Sequence, residues 1–182
     1  MPATSSNRYS SLSITMHWLM VILLVATAAT MELRGMYPKG SDARELIKSA
    51  HYALGLAVWM LVWVRLIARL SSTTPAIVPA PSVWQTRLGH TAHAGLYVLM
   101  IGLPLVGWLA LSFKGTPVYL PGGIPVPLLT STNSNTAHWL KDLHETGAVA
   151  GYVLVGLHAG AALAHHYLLR DNTLVRMLPG KR

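Results

Sequence analysis

Four apolar runs, each about 20 residues and so long enough to cross a bilayer, alternate with short segments rich in charge, proline and glycine. They extend from Ile14 to Met31, Ser49 to Ile67, His90 to Leu111 and Leu143 to Leu168. The pattern predicts an all-α integral membrane protein, a single bundle of four transmembrane helices. A polar, Ser-rich tail over residues 1–13 precedes a membrane domain over 14–169, and a basic tail follows over 170–182. Between the spans, Glu32 to Lys48 reads as a compact outer loop around Gly35, Pro38 and Gly40, and Ser71 to Ser82, with Pro75, Pro79 and Pro81, as a semi-rigid inner connection. The segment Ser112 to Ala137 holds Pro117, Pro121, Gly122, Gly123, Pro125 and Pro127; it cannot be a regular helix and is expected to cap the outer end. Gly102, Pro104 and Gly107 predict a kink in the third span.

Inside this apolar frame the polar exceptions carry the chemistry. His144, Gly151, His158 and His165 recur every seven residues and so return to nearly one face of the fourth helix. Ionisable groups at membrane depth are costly and need a partner, which points the stripe at something bound within the protein rather than at lipid. With the spans antiparallel, His51 and His144 open their helices at the outer side. His17 opens the first at the inner side, and His158 lies 14 residues inward of His144, about 21 Å by the helical rise. Depths then match in two pairs, His51 with His144 and His17 with His158. Two imidazoles from facing helices can clamp one iron, so the bundle is expected to enclose two non-covalent b-type haems.

A porphyrin needs small residues where helices approach it, which singles out Gly55, Gly147 and Gly151, the last expected to face the space between the two haems. Small residues also serve ordinary helix packing, and for Gly147 and Gly151 that reading is equally open. His90 and His93 form a His-x-x-His pair at the inner start of the third span, suited to a metal, a haem propionate or the border of a quinone pocket. His165 and His166 lie further in, toward propionates, headgroups or water, and His138 is expected to be solvated. Arg34, Arg65 and Arg69 read either as propionate partners or as interfacial anchors. Trp18, Trp84 and Trp139 fit the interfacial belt.

Composition narrows the classes. Of 182 residues, 52% are hydrophobic and 11% charged, which is membrane composition. The first run has His17 and Trp18 at its head and ends in Met31-Glu32-Leu33-Arg34 without a small-residue cleavage site, so it reads as a retained span, not a signal peptide. Zero cysteines exclude thiolate-bound clusters, disulfides and a covalent c-type haem. The net charge of +8 sits in short segments beside the spans, which makes the lipid bilayer and its anionic headgroups, not nucleic acid, the expected partner. With both termini cytoplasmic, eight Lys/Arg lie inside and six outside, a mild positive-inside bias.

The segments Ser13-Ile14-Thr15-Met16-His17-Trp18, Met31-Glu32-Leu33-Arg34-Gly35, Gly89-His90-Thr91-Ala92-His93, Gly156 to Tyr167 and Asp171 to Met177 occur in an order that resembles the bacterial cytochrome b561 family. The resemblance spans about Tyr9 to Met177. It implies a four-helix, dihaem cytochrome of the bacterial inner membrane with His17, His51, His144 and His158 as iron ligands. It is strongest to the group that takes electrons from superoxide at the outer face and passes them to ubiquinone, and the chain departs from it most over Thr116 to Lys141. Bis-imidazole iron has no open position, so outer-sphere electron transfer is the expected work. Arg34, Lys39, Arg44, Lys48 and Lys114 are placed to draw a small anion outward of the membrane, against five acidic residues nearby. An alternative is a haem-bearing anchor and relay subunit of a respiratory dehydrogenase or hydrogenase; a more distant one is a metal transporter using the same histidines.

Overall fold

The computed structural model describes residues 8–120 and 123–180. Four helices dominate it: α1 (Ser11–Arg34), α2 (Asp42–Leu70), α3 (Val83–Lys114) and α4 (Ser134–Tyr167). All four are long and apolar enough to cross a membrane. Each outruns its apolar run because nothing in the sequence stops it at the hydrocarbon boundary: α4, with 34 residues, extends about 51 Å against an apolar layer of about 30 Å. The stops are local. Ser10 Oγ accepts from Ser13 N, Ser41 Oγ from Arg44 N and Asn133 Oδ1 from Thr136 N, while Gln85 Oε1 accepts from Ser82 at the start of α3. Gly115, at φ +69, ends α3 in the left-handed conformation that glycine reaches without strain.

Two expectations about the segments between spans need correction. Of the predicted tail over 1–13, residues 1–7 lie outside the described residues, and Tyr9 to Ser13 are built into the fold. Tyr9 is buried between the guanidinium groups of Arg69 and Arg176, each 5.4 Å from its ring centroid, and Ser13 donates to the Ala68 carbonyl. The segment over 112–137 is not loop throughout. Helix α3 continues to Lys114, and Val118–Leu120 (β1) pairs antiparallel with Ile124–Val126 (β2) before α4 begins at Ser134. Pro121 and Gly122 lie outside the described residues. The segment is tied down by Trp108 Nε1 donating to the Pro127 carbonyl (3.0 Å) and Leu129 N to Ser112 Oγ (3.2 Å), and β1 rests on α2. Pro104 sits inside an unbroken α3.

The helices associate as α1 with α2 and α3 with α4, with α2 joining the pairs. Met20 of α1, Val58 and Val62 of α2 and Met100 of α3 form the core, flanked by Leu23, Leu61, Leu96 and Tyr97. Helix α4 is absent from it: its apolar span holds no buried residue, and α4 packs closely along α3 alone. A slot therefore separates α4 from the α1–α2 pair, and histidines reach across it.

Candidate functional site

At the outer end of that slot, His51 on α2 faces His144 on α4 with ring centroids 6.1 Å apart and planes at 83°. At the inner end, His17 on α1 faces His158 on α4 at 6.4 Å and 45°. Two imidazoles opposed across one metal, each nitrogen about 2.0–2.1 Å from it, place their ring centres roughly 6.3 Å apart. Both separations match, and within each pair the two rings come from different helices, α4 supplying one ring to both pairs.

The ring nitrogens are oriented for this. His144 Nδ1 lies 2.9 Å from the Leu103 carbonyl, and His51 Nδ1 lies 3.1 Å from the Thr27 carbonyl and 3.2 Å from Thr30 Oγ1. A carbonyl can only accept, so Nδ1 carries the proton and Nε2 keeps its lone pair for a metal. At the inner end, His17 Nδ1 is buried without a hydrogen-bond partner. The neighbouring Trp18 ring stands edge-on to it at 5.3 Å, and Trp18 Nε1 donates to the Met177 carbonyl at 2.7 Å. Trp18, expected in the interfacial belt, thus also ties α1 to the C-terminal segment.

Beside His51 the slot has room for a bulky group: a Cβ added at Gly55, one turn further along α2, would meet no atom within 4 Å. Among the described residues no three His, Cys, Asp or Glu side chains converge as they would on a bare ion, whereas a porphyrin supplies four equatorial ligands and asks the protein for two. Gly147 and Gly151 differ in their surroundings. A Cβ at Gly147 would collide with the Leu103 side chain, so Gly147 faces α3 and serves helix packing, while one at Gly151 would meet Leu99 of α3 in ordinary van der Waals contact at 3.9 Å.

One glycine that sequence reading passed over as part of a kink shapes the outer pair. A Cβ at Gly107 would lie 3.0 Å from His144 Cε1 and 3.1 Å from Nδ1. The signal was available: His93, Met100 and Gly107 recur every seven residues along α3, the same stripe logic applied to α4.

The remaining candidates separate. His93 approaches His158 at 5.2 Å with planes at 65°, too close to share an ion across the axis already matched by His17. His90 is exposed on the surface of α3. His165, expected to meet propionates or water, instead sets Nδ1 2.5 Å from Asp171 Oδ2, a partner not anticipated. Asp171 is buried, which alone would raise its carboxyl pKa; the hydrogen bonds from His165 and the Thr173 amide outweigh burial and hold it below the usual value. At the outer surface, Lys48 pairs with Glu45 (2.6 Å) and Lys141 with Glu145 (2.8 Å), and Arg44 Nη1 donates to the Arg34 and Tyr37 carbonyls. Of the basic residues expected to attract an anion, Lys39 and Lys114 remain exposed outside these pairs.

A family model described as prokaryotic cytochrome b561 matches residues 8–180. The chain is 40% identical over 176 residues to cytochrome b561 homolog 1 of Escherichia coli (strain K12), covering 97% of this chain and 99% of that one. It is 38% identical over 175 residues to the probable superoxide oxidase CybB of Yersinia pestis, covering 96% and 98%. It is 29% identical over 178 residues to cytochrome b561 homolog 2 of E. coli, covering 94% and 91%.

Proposed function

The chain belongs to the prokaryotic cytochrome b561 family, bacterial membrane proteins that transfer electrons on haem b, and from that premise we propose that it carries electrons across the membrane through two bis-histidine haems, from superoxide outside to ubiquinone. The observation that carries this reading is the pair of imidazole clamps, 6.1 and 6.4 Å, at two depths of one slot. Two superoxide anions lose one electron each to become dioxygen, and ubiquinone takes both electrons with two protons to become ubiquinol.

When bound, the haems supply reversible one-electron chemistry. The chain's own part is to hold and insulate them. His51 and His144 would hold one and His17 and His158 the other, and six-coordinate iron leaves no site for oxygen to bind and be activated. The Leu103 and Thr27 carbonyls fix the outer rings, while Trp18 backs His17. Lys39 and Lys114 supply the outer-face positive field that would draw a small anion. The acceptor is bilayer-soluble, as the apolar exterior of the spans suits. Both termini lie on the cytoplasmic side of the inner membrane in this reading. Superoxide as donor is supported by the name of the Yersinia pestis relative and by these two lysines.

Purified protein should contain two haems by pyridine haemochrome, be reduced by superoxide and be reoxidised by ubiquinone with no other subunit present. His51→Ala and His144→Ala should each remove the same haem, and His17→Ala and His158→Ala the other, leaving about one haem per chain. Reduction only by a co-purifying dehydrogenase or hydrogenase, with superoxide inert, would replace the enzyme with the anchor and relay subunit. A chain that binds divalent metal but shows no Soret band would be the transporter.

A further inference from the structure

Beside each histidine pair stands an arginine whose Nε is buried and makes no hydrogen bond. At the outer pair it is Arg34, the last residue of α1, one turn beyond Thr30, whose hydroxyl lies 3.2 Å from His51 Nδ1. At the inner pair it is Arg65 of α2, one turn from Val62, which packs in the core with Met20, three residues from His17; its guanidinium carbon lies 5.8 Å from the ring centroid of Tyr97, one turn from His93. The ion pairs among the described residues are Lys48–Glu45, Lys141–Glu145 and His165–Asp171, and none involves either arginine.

An arginine cannot shed its proton to escape burial, and a buried charged donor without an acceptor is costly. An arginine serving only as an interfacial anchor would carry its head into water, whereas here part of each head is covered. Among the described residues no hydrogen-bond acceptor meets either Nε. Both positions adjoin the slot, and the partner that matches a guanidinium fork in charge and shape is a carboxylate. We propose that Arg34 and Arg65 each bind a propionate carboxylate of the haem held by the adjacent histidine pair, one arginine to each haem, and thereby raise the reduction potential of that haem alone. The inference rests on the two-haem reading. Its physical basis is that an added electron is favoured beside positive charge, and that removing the arginine leaves a carboxylate uncompensated nearby.

Potentiometric titration in single-haem backgrounds tests it. In His51→Ala, which keeps the inner haem, Arg65→Gln should lower the midpoint by about tenfold in the reduction equilibrium constant, about 59 mV for one electron. In that background Arg34→Gln should leave the midpoint in place. In His158→Ala, which keeps the outer haem, the two responses should exchange. Arg65→Lys and Arg34→Lys, which keep the charge but not the fork, should recover most of the shift and serve where a glutamine variant fails to assemble. Unchanged midpoints, equal shifts from both arginines in one background, or a parent midpoint that falls to the glutamine value once phospholipid is stripped, would each overturn the assignment. Absence of haem from the unsubstituted chain would instead remove the two-haem reading beneath it.

Discussion

Gly107 shows how much rests on one missing side chain. Its hydrogen leaves room for the His144 ring, which a Cβ would press at 3.0 to 3.1 Å while the Leu103 carbonyl, one turn back on α3, holds the ring's Nδ1. Gly107→Val should therefore displace His144 and lower haem content to about one per chain, and the haem lost should be the one that His51→Ala loses. Retention of both haems with an unchanged spectrum would show that the ring can yield. The residue types needed here were legible in the sequence: four histidines at matched depths, and glycines on their faces. Which glycine served which purpose was not. Gly147 and Gly55 are alike in sequence, yet the first meets Leu103 and the second meets nothing within 4 Å, because the answer depends on which helix lies opposite.

The C-terminal segment 171–178 behaves as an element with a task, although sequence reading left it as a basic tail. Asn172 exchanges hydrogen bonds with Val78 and reaches the Ala76 carbonyl, Arg176 donates to the Pro75 carbonyl, and Met177 accepts from Trp18. It buckles α1, the α2–α3 connection and the end of α4 together at the inner pair. Asp171, whose side chain is 3% exposed, anchors it to His165. Because its carboxyl is held below the ordinary value of 3.8, its contribution is complete above about pH 4 and is lost as pH falls through the lower folded value. Asp171→Asn should cost about 1–3 kcal/mol at neutral pH by leaving His165 poorly paired. The gap from the parent protein should close as the medium is taken below about pH 4. Thermal unfolding in detergent across pH checks this, and a difference that grows on acidification would contradict it.

Across the whole molecule, the charge distribution sets what the outer face can attract. Five basic residues of the outer loops were expected to draw a small anion, but pairing of Lys48 with Glu45 narrows that field. Lys39→Glu and Lys114→Glu should slow haem reduction by superoxide several-fold without changing haem content, and raising salt should erase much of the difference as the Debye length falls below about 10 Å. Lys48→Glu should have a smaller effect, since Glu45 already neutralises that charge; an equal effect from all three would mean that net charge alone governs the rate. The sequence by itself determined the spans, their antiparallel order and the depth of each histidine, because hydrophobic length and helical rise are local properties that a bilayer converts into position. Only the tertiary structure decided that α4 packs on α3 alone, leaving a slot toward α1 and α2. It also decided that Gly107 shapes that slot, that Arg34 and Arg65 flank it with no acceptor for their Nε among the described residues, and that the segment 171–178 locks its inner side. These follow from which helix faces which, and a pattern of apolar positions exposed to lipid on nearly every side carries little information about facing.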